Sequence, residues 1–152
     1  MAHSEASIEI DRPAAEVFPW LLDPAKRLRW VNGLRSSEPI DETSFREVVH
    51  QAGQDVEATA TVVNQEPPHA LDVILTGRGF EARMQHRLTE DNGRTRLTSS
   101  FDVTLGGLGR FAGGIVSRQT KRSVRESLAR LKELLESAGP DDAEEEPDAE
   151  QE

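Results

Sequence analysis

Apolar and polar residues alternate with period two through Ala6-Ser-Ile-Glu-Ile-Asp11, the pattern of a strand with one buried face. The alternation stops at Arg12-Pro13, and proline suits a first helical turn because its missing N–H would have no partner there. Ala14 to Leu22 then carries Val17, Trp20, Leu21 and Leu22 as a helical apolar face. Pro19 lies inside that segment, which predicts a short or kinked helix ending at Asp23-Pro24. Ala25 to Val31 reads as a second short helix, closed by Asn32-Gly33.

Beyond Gly33 the period changes. Strands are predicted at Leu34 to Ile40, Thr43 to Gln51, Asp55 to Gln65, His69 to Thr76, Phe80 to Thr89 and Thr95 to Leu105. Ala52-Gly53-Gln54, Gly77-Arg78-Gly79 and Asp91-Asn92-Gly93 are tight turns, and Glu66-Pro67-Pro68 is a breaker. Strands joined so closely must be antiparallel. The clearest alternation sets Phe80, Ala82, Met84, His86 and Leu88 against Glu81, Arg83, Gln85 and Arg87. Its neighbour sets Leu97, Phe101, Val103 and Leu105 against Arg96, Thr98, Ser100 and Asp102. One face of the sheet is therefore wet and the other needs a cover. Leu108, Phe111, Ile115, Val124, Leu128, Leu131 and Leu135 supply it, at helical spacing, on a final helix expected from about Gly109 to Ser137. At ~1.5 Å per residue such a helix is roughly 40 Å long, enough to cross the sheet. The fold class that follows is α+β, with seven antiparallel strands and a long C-terminal helix.

Charge changes this picture only at the end of the chain. The formal charge is −10, yet eight acids and no base fall between Pro140 and Glu152. Removing those eight from the 28 acids leaves 20 against 18 bases, so residues 1–139 form a nearly neutral domain and residues 140–152 an acidic tail expected to be disordered. The balance excludes a nucleic-acid footprint, and no aromatic–basic platform is present. With no cysteine there are no disulfides, thiolate metal sites or cysteine nucleophiles. His3, His50, His69 and His86 have no metal-ligand spacing, and the Gly106-Gly107-Leu108-Gly109 run lacks a phosphate-loop pattern, so no metal or cofactor is expected. Neither a secretion signal nor a run of 18 apolar residues occurs, and a cytoplasmic location is expected.

Two phrases carry a family resemblance. Ile8-Glu-Ile-Asp-Arg-Pro-Ala-Ala-Glu-Val-Phe-Pro-Trp-Leu-Leu-Asp-Pro24 resembles the opening of the helix-grip superfamily, in which a strand meets a helix led by proline and ending at Asp-Pro. Leu28-Arg-Trp-Val-Asn-Gly33 resembles its next phrase. That superfamily includes START lipid-transfer domains, birch-pollen-allergen-like proteins and polyketide cyclase/dehydrase-like proteins, and the resemblance spans roughly residues 6 to 137. It implies a curved sheet wrapped around the last helix (β-α-α-β6-α), with a pocket between them.

In that architecture Trp30, Phe45, Val49, Val73, Leu75, Phe80, Met84, Phe101, Val103, Phe111 and Ile115 are candidates to line the pocket, unless they simply fill the core. His86, on the apolar face, could orient a ligand hydroxyl or act as a base; a neutral core histidine bonded to a neighbour is the plainer expectation. Glu47 shares the parity of Phe45 and Val49, so it too could face inward. Because an unpaired buried glutamate is rare, an irregularity turning it outward is the simpler account. Glu47 and His86 are the sole weak catalytic candidates. Arg118, Lys121, Arg122, Arg125, Arg130 and Lys132 make the last helix basic. Three functions follow: a binding or transport module for a hydrophobic molecule (lipid, aromatic or polyketide-like), a cyclase- or dehydrase-type enzyme, or an accessory protein docking on a membrane or partner through the basic helix.

Overall fold

The computed structural model describes residues 2–51, 53–106 and 113–137. Strand β1 (Ala2–Ile10) leads into helices α1 (Ala14–Leu22) and α2 (Pro24–Trp30). Six strands follow: β2 (Leu34–Pro39), β3 (Ser44–Gln51), β4 (Gln54–Glu66), β5 (Ala70–Gly77), β6 (Phe80–Asp91) and β7 (Arg94–Leu105). Helix α3 (Gly113–Ser137) closes the described chain. The strands form one antiparallel sheet in the order β1-β7-β6-β5-β4-β3-β2, so every hairpin neighbour pairs and β1 returns to the far edge beside β7.

Strand β1 begins four residues before the predicted start. Ala2 to Glu5 has no large apolar side chain to signal a strand, but the ladder to β7, from Ala2 opposite Val103 to Ile10 opposite Thr95, needs only backbone. Pro19 does not break α1. Both Pro19 and Ala15, whose carbonyl loses its donor, lie on the exposed side of the helix, where water can replace the bond. Pro13 is the N-cap itself, and the free Ala14 N–H donates to the Glu90 side chain at 2.9 Å. Asp23 caps α2 by accepting from the Ala25 N–H at 3.0 Å, with Pro24 in the first turn. Asn92 and Gly93 take positive φ values of 56° and 79°, as a tight hairpin turn demands.

The core occupies one end of the sheet. Ile10, Val17, Leu71, Leu88 and Leu97 meet Leu128, Leu131 and Leu135 of α3 there, and each is at most 2% exposed. The predicted start of α3 near Gly109 falls outside the described residues; its packing is mainly on β1, then α2 and β7. Hydrogen bonds pin the helix. Asn32 N–H donates to Ser127 Oγ at 2.8 Å, Arg130 Nε to the Arg29 carbonyl at 2.6 Å, and Lys132 Nζ to the Glu9 carbonyl at 2.7 Å. Among the described residues, the other end of the sheet, over β3 to β6, lacks that close packing against α3. Among the described residues no helix is long and apolar enough to cross a membrane.

Candidate functional site

A cavity of about 870 Å³ opens between the concave face of the sheet and helices α2 and α3, within the range of small-molecule sites (~300–1,000 Å³). Exposure along the strands shows that it is open space. Phe45, Leu75, Phe101 and Val103 point inward yet stay only partly buried, whereas Leu71, Leu88 and Leu97, on the same face at the core end, are at most 2% exposed. Along β6 the wall runs from Leu88 in the core, through His86 and Met84, to Phe80 at the mouth. Gly77 makes room for that last ring, since a Cβ there would stand 2.2 Å from Phe80.

Ten of the pocket residues expected from sequence line this one cavity. They are Trp30 from α2, Phe45 and Val49 from β3, Val73 and Leu75 from β5, Phe80, Met84 and His86 from β6, and Phe101 and Val103 from β7. Phe111 lies outside the described residues, and of Ile115 the described structure gives only its place in α3. Trp30 belongs to the floor rather than the open wall: it is 5% exposed and its Nε1–H donates to the Trp20 carbonyl at 2.8 Å.

Glu47 requires a correction. It faces inward and is 1% exposed, not turned outward. The premise that it would be unpaired fails, because Arg27 of α2 reaches it with both terminal nitrogens, Nη1 to Oε2 and Nη2 to Oε1, the latter at 3.3 Å. Ser37 Oγ–H adds a third bond to Oε2 at 2.8 Å. A β-bulge between Leu34 and Ser36 shifts the β2–β3 register and sets Ser37 opposite Glu47. The result is a bidentate, charge-neutral group on the cavity wall. Two of the five guanidinium N–H donors are used on Glu47, so Arg27, which also lines the cavity, has others to offer a guest.

His86 is a neutral wall residue. Its Nδ1 shares a 2.7 Å hydrogen bond with Ser99 Oγ, directly opposite on β7. Burial pushes its pKa down to about 4, and the Arg27 charge adds to that, with Arg87 contributing less and Asp72 opposing. Among the described residues Nε2 has no hydrogen-bond partner. Two strands separate β6 from β3, and the register sets Glu47 in line with Phe80, six residues along β6 from His86. Each side chain has its own partners, and they do not form an acid/base pair.

Sequence reasoning passed over three residues at this site, Ser99, Arg27 and Arg78. Ser99 falls between Leu97 and Phe101 on the inward parity of β7, which was signal enough. Arg27 precedes Trp30 by one helical turn and therefore shares its face. Arg78 lines the mouth from the β5–β6 turn, as Arg122 does from the basic helix α3, and nothing in the apolar pattern marks Arg78.

The family described as polyketide cyclase / dehydrase and lipid transport matches residues 1–136. No curated protein matches the sequence. Among solved structures, a START superfamily protein from Mycobacterium smegmatis superposes with a TM-score of 0.80 at 14% identity, covering 90% of this chain and 99% of its own. A conserved protein from Geobacillus kaustophilus gives 0.77 at 19% identity, with 89% and 95% covered. An aromatase/cyclase from Streptomyces sp. R1128 gives 0.76 at 17% identity, with 88% and 93% covered. At such identities the likeness is one of fold.

Proposed function

This chain belongs to the polyketide cyclase / dehydrase and lipid transport family, and we propose that it binds and carries a hydrophobic small molecule, lipid or aromatic, in the cavity between sheet and α3. The observation that carries the reading is the open apolar wall, in which inward-facing aromatic and aliphatic side chains remain only partly buried among the described residues. Two polar points on that wall, the spare donors of Arg27 and the Nε2 of His86, would orient the guest.

Carriage is favoured over turnover by the state of those two points. A general base works best with a pKa near the working pH, and His86 at about 4 is a weak one. Glu47 already accepts three hydrogen bonds, two from the Arg27 guanidinium and one from Ser37, so both its oxygens are engaged by protein. Native mass spectrometry of the intact chain tests the proposal. An apolar guest held at one copy per chain is expected, and bare protein after incubation with fatty acids, flavonoids and polyketides would overturn it.

A further inference from the structure

The cavity carries charge unevenly between its buried wall and its exposed rim. Within the wall, Arg27 and Glu47 neutralise one another, with their side chains 13% and 2% exposed. At the mouth the described ionisable residues are Arg78, Arg122, Glu126 and His50. Glu126 accepts from Asn32 Nδ2 at 3.0 Å, and His50 Nδ1 meets Asp55 at 2.8 Å. Arg78 and Arg122 are exposed and have no hydrogen bond or ion pair among the described residues. They also come from different walls: Arg78 sits between Gly77 and Gly79 where β5 turns into β6, and Arg122 on α3. From Gly113 to Arg125 the sequence of α3 holds Arg118, Lys121, Arg122 and Arg125 and no acid.

Resting on the carrier reading above, we infer that the guest is an anionic amphiphile, an apolar body with one carboxylate or phosphate head, held with its head at the mouth between Arg78 and Arg122. Burial decides the orientation. An anion driven in against the buried wall would lie beside the carboxylate of Glu47, whose charge the Arg27 guanidinium already answers, and would lose its water with no cation left over. At the mouth the same anion stays partly hydrated and meets two guanidinium groups with free donors, the side chain best shaped to hold carboxylate or phosphate oxygens. The apolar body then covers Phe45, Leu75, Phe101 and Val103.

Displacement of the neutral dye Nile Red from the full chain tests this, with dodecanoate, dodecyl phosphate and 1-dodecanol as competitors. Two exposed ion pairs predict an advantage of about tenfold for either anion over the alcohol. The advantage shrinks in 0.5 M salt. Arg78→Gln with Arg122→Gln removes it and leaves dodecanol unchanged. Lys121→Gln with Arg125→Gln, on the same helix but away from the cavity lining, keeps it. Equal displacement by all three competitors, an advantage that survives loss of both mouth arginines, or equal loss in the control pair overturns the inference while the carrier reading stands. Failure of the dye and of dodecanol to bind at all would sink both.

Discussion

Glu47 is a carboxylate that the fold could not hold alone. Its burial rests on Arg27 and Ser37, and one of these comes from a helix and the other from a bulged strand. Removing the cation should therefore hurt more than removing the pair. Arg27→Met is expected to lose about 2–4 kcal/mol in urea unfolding, somewhat below a fully enclosed pair because the cavity admits water. Arg27→Met combined with Glu47→Leu should recover most of that loss, and a double variant as unstable as the single one would contradict this account of the site. His86 gives the second prediction at this scale. Its folded pKa, near 4, lies below the unfolded value of 6.5, so the unfolded chain takes up a proton that the folded chain refuses. The stability from keeping it neutral is full above pH 6.5 and drains away as pH falls toward 4, on the order of 3 kcal/mol in all. Asp72, whose carboxyl is held below the usual range by its hydrogen bond to Arg87, adds a further loss below pH 4. Stability measured between pH 7 and 4 should fall less steeply in His86→Gln than in the wild type, and parallel curves would contradict the assignment.

At the scale of elements, strands and turns were legible because the chemistry that makes them is local. Asn92-Gly93 must turn tightly, Phe80 to Leu88 must alternate, and each signal lies within a few residues. What escaped was set by partners distant in sequence. The first residues of β1 are strand only because β7 pairs with them, and the bulge that aims Ser37 at Glu47 leaves no mark in the β2 sequence. The inward wall was legible by parity, but the Arg27–Glu47 pair depends on how α2 lies over β3, which no spacing records. Gly33 shows how tight that junction is. Its φ is +84°, and a Cβ would stand 2.6 Å from the His50 carbonyl oxygen, whose residue also donates its N–H to the Gly33 carbonyl at 2.7 Å. Gly53 has a similar φ of +80° but open space around it. Gly53→Ala is therefore expected to cost about 1 kcal/mol, the left-handed penalty alone, and Gly33→Ala distinctly more. Equal losses in thermal unfolding would mean that the contact with His50 relaxes freely.

Over the whole molecule, the division between a packed end and an open end follows from where α3 seats. The helix is pinned to β1, β7 and α2 through its second half, by Val124, Leu128, Leu131 and Leu135 and by the bonds from Asn32, Arg130 and Lys132. The sheet beyond that contact curves past the helix and lines the cavity with an apolar face that is only partly buried among the described residues. A sequence read residue by residue cannot separate a side chain that fills a core from one that faces a void, because both obey the same parity; the difference appears only in exposure. The central claim, that this void is the seat of an apolar guest, is tested most directly by recording native mass spectra of the wild type and Ala60→Trp side by side. Ala60 is 2% exposed on the inward face of β4, where a tryptophan would occupy the cavity and leave the outer ladder untouched. The account predicts one apolar guest per chain in the wild type and none in a folded Ala60→Trp. Wild-type protein that stays bare after incubation with apolar compounds, or a guest retained equally by the filled variant, would contradict it.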